Sequence, residues 1–316
     1  MKNILTLVIL LWATNLFGQV EVVGHGRTDN INSMLFINDS LGFFTADRGV
    51  LMKSTDAGKT WQKDVFPDSN DIMDLEMISD RTLFASSGAT LYKSTDTGHS
   101  WTLVHHDACD TIVSLYVFDD YYAFGIIKKN YSGIENKVIA DTRDSLEYWG
   151  DVKITYFYLT IKPSEYMDID FLERDTLYIS SHIGIMRFLA NNNSTHYHDD
   201  IQYTTEDKIK DLSLTKDRHL FGICDSNFLY HFSNITAKYE EDVVSGRRQL
   251  YSFQNLNGLH FISQDTGIVY GDSGTIMRTY DGGDTWVNLN YKTDKNLTGH
   301  YVKDKKTLFV FGKERP

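Results

Sequence analysis

The sequence predicts an all-β protein, a single β-propeller of about seven four-stranded blades, with six or eight as alternatives. Three observations carry that expectation. A 31-residue segment recurs without a gap, each clear copy breaks into four short apolar runs separated by turn residues, and the composition suits strands. The 316 residues include 18 Phe and 19 Tyr against only 3 Pro, and aromatic side chains fit a pleated, half-buried surface. Hydrophobic residues make up 41% and charged residues 23%, which is too apolar for a disordered chain.

Ile31 to Trp61 reads INSMLFINDSLGFFTADRGVLMKSTDAGKTW, and Leu256 to Trp286 reads LNGLHFISQDTGIVYGDSGTIMRTYDGGDTW. At this offset of 225, Phe36 meets Phe261, Gly42 meets Gly267, Asp47 meets Asp272, Gly49 meets Gly274 and Met52 meets Met277. Asp56 then meets Asp281, and Trp61 meets Trp286. A third copy, Asp71 to Trp101, follows the first at an offset of 40 and ends LYKSTDTGHSW. A decayed fourth copy, Thr142 to Trp149, keeps the hydroxyl, Asp and Trp spacing but has Leu146 where the others have glycine.

In the first copy, Met34–Ile37, Gly42–Ala46, Val50–Ser54 and Trp61–Val65 read as strands, punctuated by Asn38-Asp39-Ser40, Asp47-Arg48-Gly49 and Asp56-Ala57-Gly58. Unit starts are expected near Ile31, Asp71, Thr111, Glu165, Ile209, Leu256 and Asn296. The wide spacing between Thr111 and Glu165 reads as an insertion within the ring. The last unit has only two strand-like runs, so Val20–Val23 is expected to complete that sheet from the other terminus.

Residues 1–18 read as a signal peptide and 19–316 as the propeller domain. Lys2 supplies the positive start, Ile4 to Leu16 an apolar run too short for a confident membrane span, and Gly18 a small residue at the cleavage point. An uncleaved anchor is the alternative. Cleavage leaves no integral span and predicts a secreted, periplasmic or envelope location. Removing Lys2 shifts the formal charge from −12 to −13. That acidity argues against nucleic-acid binding, which needs a dense cationic surface. Cys109 and Cys224 are too few for a disulfide scaffold or a zinc spacing, and either pair or stand as separate thiols.

The pattern Ser/Thr-x-Asp-x-Gly-x-Thr/Ser-Trp falls on Ser54, Asp56, Gly58 and Trp61, on Ser94, Asp96, Gly98 and Trp101, and on Thr279, Asp281, Gly283 and Trp286. It resembles the Asp box of the bacterial neuraminidase repeat family. With Phe36 to Gly49 and Gly267 to Trp286 added, the chain is similar to repeats of the photosystem II stability/assembly-factor family and its non-photosynthetic relatives. The resemblance implies a turn between the outer strands of a blade and a non-catalytic scaffold or binding protein. From the residues themselves, a short Asp is expected to accept backbone N–H groups one or two residues along its hairpin. Glycine permits positive φ, and Trp covers apolar area between blades.

Three chemistries compete with a purely structural role. A sialidase-like glycoside hydrolase would need clustered arginines, a Tyr nucleophile with its Glu partner and an acid/base Asp. Arg27, Arg48, Arg81 and Arg278 are scattered, and no Arg-Ile-Pro signature is present. His196-Tyr197-His198-Asp199-Asp200 and His105-His106-Asp107 offer imidazole and carboxylate for zinc or copper, but exposed His and Asp are commonplace beside a polar loop. Tyr116, Tyr121, Tyr122, Tyr131, Tyr156 and Tyr158 form an aromatic-rich stretch, readable as blade core or as a contact surface. The expectation is therefore an exported, non-catalytic module without cofactor or metal that binds a protein or glycan, with Tyr121, Tyr122 and Tyr131 as contact residues. The alternative is a glycoside hydrolase of the Asp-box propeller type.

Overall fold

The computed structural model describes residues 7–12, 19–24, 30–106, 110–120, 123–131, 134–142, 150–151, 153–155, 166–173, 176–181, 184–190, 196–204, 207–235, 244–252, 254–289, 293, 295–304 and 307–313. Among them the regular structure is almost wholly β, arranged in seven sheets. The chain divides into two compact units, residues 1–152 with 299–316, and residues 153–298.

In the first unit, the first sheet orders Ile31–Phe36, Gly42–Ala46, Val50–Ser54 and Gln62–Asp64. The second orders Ile72–Met77, Leu83–Ser87, Thr90–Ser94 and Thr102–His106. A third follows from Asp110–Val117, Ala123–Tyr131, Ile134–Thr142 and Gly150–Asp151. A terminal sheet places Leu7–Trp12 between Gln19–Gly24 and Thr307–Lys313, with Asn296–Asp304, which belongs to this unit from Gly299 on, beyond. Val20–Val23 therefore lies in the sheet expected for it, one strand further out than a direct partner of the C-terminal strand.

The second unit holds three sheets. One has five strands, Tyr166–Glu173, Thr176–Ser181, Gly184–Ala190 and His196–Thr204, with Lys153–Thr155 added in parallel to the last. The others run Ile209–Leu214, Leu220–Cys224, Phe228–Ser233, Val244–Gln249, and Leu256–Phe261, Gly267–Gly271, Ile276–Thr279, Val287–Asn288. The long strands from Asp110 to Thr142 and the added Lys153–Thr155 take up much of the widened spacing noted in the sequence. Cys224 is a buried free thiol, and Cys109 lies outside the described residues.

Every first strand begins within one residue of the unit start read from the repeat. Six of them share a feature the repeat does not advertise, a β-bulge near the start, one residue in at Ile31/Ser33, Ile72/Asp74, Tyr166/Asp168, Ile209/Asp211 and Leu256/Gly258 and three residues in at Ile112/Ser114. A bulge leaves one residue unpaired and re-aims its side chain. Asn32 uses this freedom to donate from Nδ2 to Asp47 Oδ1 and to the carbonyl of Ile72, the first residue of the next sheet. Asn257 does the same with Asp272 Oδ1 and the Leu297 carbonyl. All three residues are displaced by 225, so the two wedges are equivalent in bonding as well as in sequence.

The agreement extends to the turns. Arg48 and Gly49 have φ of 61° and 66°, and Ser273 and Gly274 have 54° and 69°. Arg48 N–H donates to Asp71 Oδ1 and Ser273 N–H to Asn296 Oδ1, again at the same offset. Core lies between neighbouring sheets. One cluster joins Leu35, Phe43 and Leu51 to Ile72, Leu75 and Leu83, and another joins Phe221 and Leu229 to Leu259, Phe261 and Val269.

Candidate functional site

The three repeated turns have the same geometry. In the first, Ser54 Oγ donates to Asp56 Oδ1 at 2.9 Å and accepts the Gly58 N–H at 2.8 Å. Asp56 then accepts the Thr60 N–H at 2.8 Å on Oδ1 and the Thr60 hydroxyl at 2.6 Å on Oδ2. Asp96 with Ser94, Gly98 and Ser100 repeats this to within 0.1 Å, as does Asp281 with Thr279, Gly283 and Thr285. The carboxylate reaches four residues along rather than one or two, because the Ser/Thr hydroxyl has already taken the nearer N–H. Each turn joins the third strand of its sheet to the outermost one.

Gly58, Gly98 and Gly283 have φ of 85°, 79° and 95°, a region costly for any side chain. Trp61 stands edge-on to Phe36 and is 8% exposed, Trp101 packs against Phe66, and Trp286 against Phe261. Each carboxylate is spent within its own turn.

The side-chain and backbone bonds from Thr60, Ser100 and Thr285 hold Asp56, Asp96 and Asp281 at about 2, below the usual 3.8. A lowered folded-state value means the turns contribute their full stability above about 3.8 and lose it as pH falls through about 2. Acid titration followed by hydrogen exchange is therefore expected to open the three turns together in that window. Asp56→Asn should abolish the pH dependence of the first turn alone while lowering stability at neutral pH.

Beside the third turn lies a groove of about 830 Å³, lined among others by Arg248, Leu250, Tyr251, Met277, Asp284 and Trp286. Arg248 Nε meets Asp284 Oδ1 at 2.7 Å and its Nη1 donates to the Gly282 carbonyl at 3.2 Å, so the guanidinium bridges the outer strand of one sheet to the turn of the next. Tyr251 is 94% exposed at the rim. An exposed aromatic thus stands beside an ordered ion pair, which combines apolar contact area with polar groups. Arg248 to Tyr251 lies at the end of the unit that starts near Ile209, which carries no copy of the Ser/Thr-x-Asp-x-Gly pattern. The run Arg247-Arg248 followed by Tyr251 was the available signal.

The residues singled out from sequence are placed unevenly. Tyr121 and Tyr122 lie outside the described residues, as do Tyr156, Tyr158, Asp107 and Arg27. Tyr131 ends the strand Ala123–Tyr131, paired in register with Ile134. Tyr116 is half-buried on the first strand of its sheet. His196 to Asp200 fall on one strand, and His106 Nδ1 lies 2.9 Å from the Thr90 hydroxyl. Among the described residues no group of three or more His, Cys, Asp or Glu gathers as a metal site. Arg48 sits in a turn, and Arg278 stacks on Tyr280 at 4.5 Å.

No family model matches the sequence, and no curated protein does. Solved structures define the class: the chain has the fold of a β-propeller. Within that class it is similar to YCF48 bound to D1 peptide, at 16% identity over 93% of this chain and 97% of that one, with a TM-score of 0.68. It is similar also to YCF48 from Cyanidioschyzon merolae, at 12% identity over 96% and 98%, again at 0.68. An ancestral GH74 enzyme shares the fold at 11% identity and a TM-score of 0.65, with the match spanning 96% of this chain but 45% of the enzyme. At these identities the likeness is one of fold.

Proposed function

We propose that the chain is an exported, non-catalytic seven-bladed propeller that binds a segment of a protein partner. The observation that carries this reading is its end-to-end likeness to a propeller solved with a bound peptide, YCF48 with D1 peptide. Two features of the site support it. The Asp carboxylates of the three turns are consumed by their own backbone and hydroxyl donors. The groove at Tyr251 and Trp286 offers aromatic contact area beside polar groups, as protein recognition surfaces do. Seven sheets, each starting at a repeat boundary, favour seven blades over six or eight. The leader-like Ile4 to Leu16 run supports export.

The test is crosslinked capture by the 19–316 chain in its native envelope fraction, run beside turnover assays on aryl glycosides. A protein partner captured in stoichiometric amount, with no glycoside turnover, is the expected result. Tyr251→Ala is expected to weaken capture about tenfold if the groove is the contact surface, and Tyr121→Ala with Tyr122→Ala and Tyr131→Ala if the aromatic stretch is. Glycoside turnover without protein capture would overturn the proposal in favour of a hydrolase.

A further inference from the structure

Leu7–Trp12 is an interior strand of the terminal sheet, antiparallel both to Gln19–Gly24 and to Thr307–Phe311. The rows run straight across all three strands. Val23, Val8 and Phe311 share one, Val22, Ile9 and Val310 the next, and Glu21, Leu10 and Phe309 a third. Yet Leu7–Trp12 also lies inside the apolar run that reads as an export leader. Its removal would leave Thr307–Phe311 as an open strand edge at Phe309, Val310 and Phe311, which are 0 to 3% exposed in the intact sheet. Unpaired backbone groups beside buried apolar residues are costly and recruit another strand.

We infer that Gln19–Gly24 takes the place of Leu7–Trp12 against Thr307–Phe311 once the leader is cut, so that the leader is a place-holder for the strand that follows it. The inference rests on the export reading. Several observations favour this occupant over any other. Gln19–Gly24 is what cleavage after Gly18 leaves at the new N-terminus, and its six residues suffice for the five pairs that Leu7–Trp12 now makes with Thr307–Phe311. Val20, Val22 and Val23 are β-branched and suit a strand. The move is one strand spacing, about 4.8 Å.

The tether allows it. Val23 already lies in the row of Phe311, so an inward shift along the rows leaves Gly24 at the same end of the sheet. Gln19–Gly24 would then run parallel to Thr307–Phe311. This chain makes such a pair elsewhere, between Lys153–Thr155 and His196–His198. Parallel bonds are evenly spaced and slightly weaker than antiparallel ones. The precursor and the mature protein therefore close this sheet differently, and the folded precursor holds its own leader as a strand paired on both edges.

Hydrogen exchange at Thr307–Phe311, measured on the full chain and on the 19–316 chain, tests the exchange of strands. Protection within about tenfold in the two chains is expected, with Val22→Pro in the 19–316 chain raising exchange about a hundredfold, since proline cannot donate to the ladder. Fast exchange at Thr307–Phe311 in the 19–316 chain overturns the inference. Should Val22→Pro fail to fold, Val22→Cys with Val310→Cys, in a Cys109→Ser, Cys224→Ser background, replaces it. The pair is expected to oxidise in the 19–316 chain and not in the full chain, where two strand spacings, about 10 Å, separate the positions. Failure to oxidise in either chain likewise overturns it. The N-terminal mass of the exported protein separates the two readings: a start at Met1 removes the premise, whereas a start at Gln19 with an open edge removes only the strand exchange.

Discussion

Replacing Gly58 by valine is expected to lower stability by about 2–5 kcal/mol. Gly58 has φ of 85°, where a side chain costs about 1–2 kcal/mol. A Cβ there would sit 2.8 Å from the Phe309 ring and 3.1 Å from the Phe36 ring, and overpacking of that kind costs about 1–3 kcal/mol. Neither ring can give way easily. Phe36 and Phe309 stack with centroids 5.0 Å apart inside a cluster that includes Trp61. The turn is therefore pinned from two sides: its hydroxyl and carboxylate fix the backbone, and the packing beneath forbids a larger residue. Thermal unfolding should show a Tm lower by about 5–15 °C. Gly246→Ala is the control, because a Cβ at Gly246 meets nothing within 4 Å. A normal Tm for Gly58→Val would refute the packing argument.

How much of this could be read beforehand follows from what repeats and what does not. The Asp, Gly and Trp residues mark the three intact turns, and the seven unit starts are legible from their spacing together with the strand-like runs of the other units. Local chemistry determines those features, so they show in any one copy. The bulge in each first strand is different. It falls on Asn32, Met73, Val113, Met167, Lys210 and Asn257, and no one residue type marks all six. Register with the neighbouring strand dictates it, and register is a relation between segments. The first strand likewise begins at Ile31 rather than Met34, because Asn32 takes its partners from Asp47 and Ile72. The groove beside Trp286 was hidden for the same reason. Arg248 finds Asp284 only when two sheets pack together. Tyr121, Tyr122 and Tyr131 stand out as an aromatic-rich stretch inside the segment that departs most from the repeat, and Tyr121 and Tyr122 lie outside the described residues.

Two neighbouring acids on one strand are expected to respond to mutation with opposite signs. Asp74 and Glu76 stand two residues apart, hence on the same face of Ile72–Met77. Asp74 Oδ2 accepts the Leu115 N–H of the next sheet at 2.8 Å, and Ser33 from the preceding sheet also donates to the carboxylate. Asp211 makes the equivalent bond to the Leu259 N–H at 2.8 Å in the other unit. Asp74→Ala strands a buried N–H and is expected to cost about 1–3 kcal/mol. The bond to the Glu76 carboxylate is a local one, from the N–H of Met77 beside it. Burial, and next the charge of Asp74, push its carboxyl well above the usual range. A raised acid stabilises the fold fully below its unfolded value near 4.5 and loses that contribution as pH rises through the folded value. Glu76→Gln removes the cost of ionisation, so it is expected to raise the denaturant midpoint at pH 8 and leave it nearly unchanged at pH 4. If both variants lose stability at pH 8, Glu76 is satisfied as a carboxylate and the assignment of burial as its dominant influence is wrong. If Asp74→Ala is neutral while Glu76→Gln stabilises, the seam between first strands rests on apolar packing and its carboxylates are incidental.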